Sequence, residues 1–268
     1  MTYIKTRNGN KLYIKDWGKG RPVILIHGWP LCADTWDEVS LSLAEAGYRA
    51  ISYDRLGFGR SSQPYEGYDY DSLADDLADV IKETSAKDAT IVGFSMGGGE
   101  VARYMSRHEG KNVVKTALIS TVLPGLLKTP DNPDGVDEAV FNGMGAALRA
   151  DRATFFGGFF KDFYGPKIGN EILEWTRKMA MEASVKAMLD CAHAFSFTDF
   201  RGDLPAFKVP TLIVHGTGDK NVPIDLSSRK THAAIAGSKM IEYEGSPHGL
   251  FVTDRDRLTN DILGWVRN

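Results

Sequence analysis

Short apolar runs recur along the chain at intervals that suit the strands of a buried sheet. Residues 23–26 are apolar at four consecutive positions, which is typical of a strand covered on both faces of a parallel sheet. The first two runs flank the turn Asn8-Gly9-Asn10 and predict a hairpin. The predicted strands are residues 3–6, 11–17, 23–26, 48–53, 89–92, 113–120, 211–215 and 240–243.

Amphipathic stretches separate most of these runs. Residues 69–83, for example, place Leu73, Leu77, Val80 and Ile81 on one face of a helix. The other helices of this pattern are predicted over residues 35–46, from the position after Ser95 through 100–108, and over 225–236 and 255–266. Strands that alternate with helices predict an α/β fold, here a mostly parallel eight-stranded sheet flanked by helices.

The alternation breaks between residues 122 and 205. This segment has no strand-like run, and it contains helical patterns over residues 136–149, 151–163, 169–181 and 184–195. We therefore predict a core domain formed by residues 1–121 and 206–268, with a helical cap inserted at residues 122–205.

Composition and charge exclude several classes of function. The chain has 268 residues, of which 43% are hydrophobic and 25% are charged, as in an ordinary soluble protein. A net charge of −3 without a basic block argues against binding to nucleic acid or to a membrane surface. The first nineteen residues do not resemble a signal peptide, and the two cysteines demand no disulfide, so we expect a cytoplasmic protein. The acidic positions Asp75, Asp76 and Asp79 are expected on a solvated helix face.

The first candidate catalytic residue is the serine of Gly93-Phe94-Ser95-Met96-Gly97, a motif that lies between a predicted strand and a helix. A turn this sharp crowds the backbone, so glycines are needed beside its apex and the serine hydroxyl is left exposed. A serine hydroxyl is a poor nucleophile unless a base takes its proton and a third group orients that base. Asp219 and His248 each follow a late predicted strand, so both are expected at the same sheet edge as Ser95.

Several longer motifs accompany this arrangement: residues 27–31, 53–62, 68–71, 93–100 and 215–219. With the order Ser95, Asp219, His248, the chain resembles the α/β-hydrolase superfamily. Within it, the chain is similar to the cofactor-free (non-haem) haloperoxidases and the bacterial aryl esterases. The resemblance implies a catalytic triad of these three residues. It also implies an oxyanion hole formed by the backbone N–H groups of Trp29 and Met96.

The resemblance also implies an activity. It predicts a serine hydrolase that cleaves small aryl or alkyl carboxylic esters through an acyl-enzyme on Ser95. Water is then the acyl acceptor, or hydrogen peroxide in a promiscuous perhydrolase reaction that makes peracids. No metal or other cofactor is expected, and relatives often assemble into homo-oligomers. The substrate pocket is predicted to include Phe94, Val122, Phe141, Phe160 and Val222.

Alternatives remain open at this point. The same triad would serve a lactonase, a γ-lactamase or a C–C bond hydrolase, and a ligand receptor of this fold can retain all three residues. Dehalogenases and epoxide hydrolases need a carboxylate where Ser95 stands. Outside the triad, His27, Asp54 and Arg55 are expected to hold loops together. The remaining histidines are interpreted as structural: His108, His193, His215 and His232.

Overall fold

The computed structural model describes residues 3–267, and its eight strands form one sheet. The strands are β1 (Tyr3–Lys5), β2 (Lys11–Gly18), β3 (Pro22–Ile26), β4 (Arg49–Tyr53), β5 (Ala89–Phe94), β6 (Val113–Ile119), β7 (Thr211–Gly216) and β8 (Lys239–Tyr243). Their order across the sheet is β1-β2-β4-β3-β5-β6-β7-β8. Strand β2 pairs antiparallel with β1 and β4, and every other pair is parallel. The predicted mostly parallel eight-stranded sheet is confirmed.

Helices flank this sheet and complete the predicted α/β fold. They are α1 (Asp37–Glu45), α2 (Tyr70–Glu83), α3 (Met96–Arg107), α4 (Glu138–Tyr164), α5 (Asn170–Glu182), α6 (Val185–Phe197), α7 (Ser228–Ala234), α8 (Leu250–Thr253) and α9 (Arg255–Arg267). Strand β3 is buried at every position, in agreement with its all-apolar sequence. Within residues 3–267, no helix combines the length and the apolar character needed to cross a membrane.

Helices α4, α5 and α6 lie between β6 and β7 in the chain, and α4 packs against both of the others. The two helical patterns at 136–149 and 151–163 correspond to two helical segments of α4, which are separated at Asp151 by a non-helical backbone (φ −161°, ψ 90°). There the carboxylate of Asp151 accepts a hydrogen bond from the Thr154 amide and caps the second half of the helix. Two helical segments thus meet at an internal cap.

The expectation for the acidic face of α2 is wrong. Asp76 and Asp79 are only 4% and 5% exposed, because α2 packs between α3 and the strand β1. Asp79 accepts hydrogen bonds from the backbone and side chain of Arg7, and Asp75 pairs with Arg107. The amphipathic spacing identified the helix, but it could not show that a second element covers its polar side.

Candidate active site

Ser95 stands at the turn between β5 and α3. Its backbone has φ 54° and ψ −118°, a strained conformation for a residue with a side chain. A Cβ on Gly93 would lie 2.5 Å from the carbonyl oxygen of Gly97, and one on Gly97 would lie 2.8 Å from the carbonyl oxygen of Ile26. Only glycine therefore fits on the two sides of the turn that holds Ser95.

His248 and Asp219 lie beside Ser95, as the sequence order suggested. His248 Nε2 is 2.9 Å from Ser95 Oγ, and His248 Nδ1 is 2.5 Å from Asp219 Oδ2. Asp219 follows β7, and His248 lies in the loop between β8 and α8. Ser95 is 6% exposed and His248 is 2% exposed. The geometry gives a serine, a base within hydrogen-bonding distance and a carboxylate that orients the base.

Asp219 is held by four hydrogen-bond donors. The amides of Asn221 and Val222 donate to Oδ1 at 2.9 Å each, while His248 and His215 reach Oδ2. Burial by itself would raise the pKa of Asp219. The charge of His248 and the hydrogen bonds from the two histidines outweigh burial and hold that pKa well below its usual range. Asp219 is therefore a firmly ionised carboxylate.

Sequence reasoning missed the place of His215 in this site by treating it as structural. His215 Nε2 lies 3.0 Å from Asp219 Oδ2, and the side chain is fully buried. The available signal was the spacing His215-Gly-Thr-Gly-Asp219, which puts both side chains at the end of one strand.

The loop after β3 lies directly against the nucleophile. A Cβ on Gly28 would meet Phe94 Cδ1 at 2.7 Å and Ser95 Cβ at 3.0 Å. The next residue, Trp29, is buried, and its indole Nε1 donates to the carbonyl of Met188 in α6 at 2.9 Å. Across the turn, Met96 is the first residue of α3. The backbone of Trp29 and that of Met96 thus belong to the two segments that border Ser95.

His27, Asp54 and Arg55 tie loops together, as expected from the sequence. The Arg55 amide donates to His27 Nε2 at 2.9 Å, so His27 carries its proton on Nδ1, which donates to the Gly28 carbonyl at 2.8 Å. Burial, helped by the nearby Arg55 charge, lowers the pKa of His27 well below its usual value. Asp54 accepts hydrogen bonds from the Ala33 amide and from Arg60. His27 is therefore a neutral anchor of the loop.

Aromatic side chains from α4 and α6 cover the site. Trp29 packs on Phe155, Phe156, Phe159 and Phe195, with ring centroids 5.6–6.5 Å apart. Phe163 contacts His248 at 4.9 Å between ring centroids. An apolar ring, that of Phe163, thus packs against His248.

The predicted pocket residues lie at different distances from the triad. Phe94 packs on His248 at 5.0 Å, the Val122 amide is 3.4 Å from the Ser95 carbonyl, and Val222 donates to Asp219. Phe160 is buried and stacks on Phe156. Phe141 packs on Phe197 of α6 instead.

A cavity of about 450 Å³ opens elsewhere on the molecule, along the segment after β6. It is lined by Leu127, Asn132, Phe197, Arg201 and Lys230 among others, and no triad residue borders it. Among residues 3–267, no group of three His, Cys, Asp or Glu side chains is arranged to hold a metal ion.

The chain is similar to known proteins over its whole length. The family described as the alpha/beta hydrolase fold matches residues 21–254. Over the full length of both chains, the sequence is 42% identical to a putative non-heme chloroperoxidase of Synechocystis and 39% identical to the bifunctional esterase/perhydrolase DCH of Acinetobacter calcoaceticus. The structure matches a bromoperoxidase of Bacillus anthracis with a TM-score of 0.95 and 40% identity, over 99% of this chain and 100% of the other.

Proposed function

The chain belongs to the α/β-hydrolase family, and from this premise we propose that it is a serine hydrolase of small aryl and alkyl carboxylic esters with perhydrolase activity. The observation that carries the proposal is the chain of contacts from Ser95 Oγ to His248 Nε2 and from His248 Nδ1 to Asp219 Oδ2. The relatives in the comparison bear names of ester and peroxide chemistry, which supports this choice over other reactions of the fold.

In the proposed reaction, Ser95 Oγ attacks the ester carbonyl carbon while His248 Nε2 takes the hydroxyl proton. Asp219 accepts the hydrogen bond from His248 Nδ1, fixes the imidazole tautomer and stabilises the imidazolium that forms. His248 then gives the proton to the leaving alkoxide or phenoxide oxygen. This step releases the alcohol and leaves the acyl group on Ser95.

The negative charge on the tetrahedral intermediate needs donors close to Ser95. We assign this role to the backbone N–H groups of Trp29 and Met96. Within residues 3–267 neither amide donates to another backbone group, which leaves both free for an oxyanion. Met96 also stands at the N-terminus of a helix, where unpaired N–H groups and the helix dipole favour negative charge.

The acyl-enzyme can pass its acyl group to water or to hydrogen peroxide. Water gives the carboxylic acid, and hydrogen peroxide gives the peracid, with Ser95 regenerated in both cases. A peracid that meets bromide transfers its terminal oxygen with the attached proton, which gives hypobromous acid and the carboxylate. In this order of steps the protein makes only the peracid, and the peracid then oxidises the halide.

We propose that residues 122–205 act as a cap that selects the substrate. The aromatic contacts between Trp29 and α4 support this, because they connect the cap to the loop that carries one oxyanion donor. We place Phe94, Val122, Phe160 and Val222 at the triad end of the pocket, and Phe141 toward its outer rim.

The free, buried cysteines Cys32 and Cys191 are compatible with a reducing cytoplasm.

We do not favour the lactonase, γ-lactamase and C–C hydrolase alternatives, because the relatives at about 40% identity are named for ester and peroxide chemistry. A panel of aryl acetates, lactones, amides and β-diketones compared by kcat/KM tests this choice. Aryl acetates are expected to be the best substrates, and a higher kcat/KM for lactones would reverse the assignment.

The central experiment compares the wild type with Ser95→Ala and with Ser42→Ala, which removes a half-buried serine of α1 whose hydroxyl donates to the carbonyl of Glu38. Phenyl acetate hydrolysis and labelling by a fluorophosphonate should be lost in Ser95→Ala and kept in Ser42→Ala. With acetate, hydrogen peroxide and bromide, bromination of a reporter dye should need both acetate and Ser95. Full ester turnover by Ser95→Ala would refute the proposal, and a single turnover per wild-type molecule would indicate a receptor.

A further inference from the structure

His215 is the one imidazole besides His248 that contacts Asp219 within residues 3–267. It is the fifth residue of β7, and its side chain has no exposed surface. Its Nε2 atom lies 3.0 Å from Asp219 Oδ2 and 2.8 Å from the carbonyl oxygen of Val222. Its Nδ1 atom lies 2.6 Å from Ser228 Oγ, at the start of α7. Every polar atom of the ring therefore has a partner.

These contacts fix the tautomer of His215. A carboxylate oxygen and a carbonyl oxygen can only accept, so the nitrogen that faces both of them must carry the proton. In the neutral ring Nδ1 is then an acceptor, and the Ser228 hydroxyl donates to it. Ser228 is fully buried, and its hydroxyl is directed to His215. The direction of every hydrogen bond from Ser228 to Asp219 follows from this geometry.

Two imidazole N–H groups thus share one carboxylate oxygen. His248 Nδ1 is 2.5 Å from Asp219 Oδ2, and His215 Nε2 is 3.0 Å from the same atom. A second donor on that oxygen reduces its affinity for a proton, because part of its charge is already engaged. The amides on Oδ1 fix the other oxygen, so the carboxylate cannot turn away from His248.

We propose that His215 and Ser228 are positioning residues for the reaction, and that they extend the triad to a relay Ser228–His215–Asp219–His248–Ser95. His215 lowers the proton affinity of Asp219 and keeps it aimed at His248, so that the proton between them stays on His248 Nδ1 and does not pass to Asp219. Ser228 strengthens this effect by fixing the His215 tautomer. The inference rests on the proposed function, because it assigns to Asp219 the role of orienting the catalytic base.

The electrostatic surroundings of His215 contain few other ionisable groups. Its register partner on β8 is Glu242, whose carboxylate is paired with Arg229 of α7 at 2.6 Å. Because Glu242 is already neutralised by Arg229, the direct hydrogen bond to Asp219 is the path by which His215 acts on the triad.

The test measures kcat/KM for phenyl acetate against pH in His215→Leu, His215→Gln and Ser228→Ala. His108→Leu is the matched control, because His108 Nε2 also faces a carboxylate, Asp75 Oδ1, at 2.7 Å, in the helical layer of α2 and α3. Loss of an oriented hydrogen-bond partner of this kind costs roughly 10- to 100-fold in activity, and we expect that loss in kcat for His215→Leu with little change in KM.

The pH profile separates this role from a structural one. Without the His215 donor, Asp219 becomes a stronger acceptor for His248 and favours the protonated imidazole. The acid limb of kcat/KM should therefore move to higher pH by roughly half a unit to one unit in His215→Leu. It should move in the same direction, by less, in Ser228→Ala, and return toward wild type in His215→Gln, which keeps an N–H donor. His108→Leu should leave the acid limb in place.

An acid limb that stays in place, or moves to lower pH, in both His215→Leu and Ser228→Ala would overturn the inference. If His215→Leu does not fold, Ser228→Ala decides it: an acid limb that stays in place, or moves to lower pH, in that variant overturns the inference. Ser95→Ala is assayed in parallel. Turnover by Ser95→Ala would refute the proposed function itself, whereas an inactive Ser95→Ala beside an unmoved acid limb refutes only the relay.

Discussion

Arg55 and Glu100 form an ion pair that is closed off from solvent. Arg55 Nε lies 2.9 Å from Glu100 Oε2, and each side chain is 1% exposed. Glu100 lies one helical turn after Met96 on α3, and Arg55 also donates to the carbonyl of His27 at 2.7 Å. The pair therefore connects the two segments that carry the proposed oxyanion donors, Met96 and Trp29.

Replacing Glu100 with glutamine should impair both stability and catalysis. Removing one charge of a buried pair leaves the other uncompensated, so we expect the free energy of unfolding to fall by about 3–5 kcal/mol. The oxyanion develops only in the transition state, so kcat should fall roughly 10- to 100-fold with KM nearly unchanged. Urea denaturation and steady-state kinetics on phenyl acetate measure the two effects.

The matched control for this prediction is Lys128→Gln. Lys128 pairs with Asp137 at 3.2 Å, and both side chains are largely exposed, so its loss should cost less than about 1 kcal/mol. If Glu100→Gln is as mild as this control in stability, and its KM rises while kcat is kept, the Arg55–Glu100 pair has no part in placing the oxyanion donors.

Asp219→Asn tests whether the carboxylate fixes the tautomer of His248. An amide at this position can present its NH₂ group to His248 Nδ1, which moves the imidazole proton to Nε2 and removes the acceptor that Ser95 needs. By analogy with the same change in serine proteases, kcat should fall by about 10⁴-fold while the fold is retained. The measurement is single-turnover acylation by a p-nitrophenyl ester, with circular dichroism as the check on folding. Acylation within a factor of about ten of wild type would contradict the role of Asp219.

Most of the fold and of the triad could be predicted from local signals. The all-apolar residues 23–26 and the glycines around Ser95 each record a constraint that acts within a few residues. The order Ser95, Asp219, His248, with each residue after a predicted strand, was enough to place all three at one sheet edge. In the structure His248 contacts both Ser95 and Asp219.

The features that were missed depend on elements far apart in sequence. The sequence pattern of α2 predicts a solvated Asp76, because it describes this helix alone. In the structure, β1 and α3 pack on the polar side of α2 and bury Asp76. The sequence around Glu100, which follows a run of glycines, does not predict an ion pair, because its partner Arg55 is 45 residues away. From the sequence His215 is interpreted as structural, although it lies near Asp219. Only the packing of α7 shows that its Nδ1 atom faces Ser228.

Gly93→Ala should damage the turn that holds Ser95. The added methyl group would lie 2.5 Å from the Gly97 carbonyl oxygen, a backbone atom that cannot move without distorting the turn. We expect a loss of about 1–3 kcal/mol in stability and a large loss of kcat. Thermal denaturation and active-site titration with a fluorophosphonate measure both.

Gly145→Ala is the matched control for this substitution. Gly145 lies inside α4, and a Cβ there meets no atom within 4 Å. Alanine is the better helix former, so this variant should be more stable than wild type by about 0.5–1 kcal/mol. A Gly93→Ala enzyme with wild-type kcat and stability would show that the turn tolerates a side chain at this position.

Asp76 is a carboxyl group on α2 that is only 4% exposed. Its Oδ2 atom has no hydrogen-bond partner among residues 3–267. Burial, with added repulsion from Glu100 and Asp79, raises the pKa of Asp76 to about 7. Asp75, the preceding residue, is its opposite: hydrogen bonds from Arg107 and then His108 outweigh its burial and lower the pKa of Asp75.

Asp76→Asn should therefore stabilise the protein at about pH 8 and have little effect at about pH 4. Between these values the unfolded chain releases the Asp76 proton while the folded protein keeps it, so wild-type stability falls as pH rises toward 7. Asparagine has no proton to lose, which removes a penalty of up to roughly 4 kcal/mol. Asp75→Asn should do the reverse: the lowered pKa of Asp75 stabilises the protein above the unfolded-state pKa, so Tm falls at about pH 8, and the loss shrinks as the pH falls through the folded-state pKa of Asp75. Calorimetry across this range measures both variants, and a lower Tm for Asp76→Asn at about pH 8 would mean that the Asp76 carboxylate is stabilised in the folded protein.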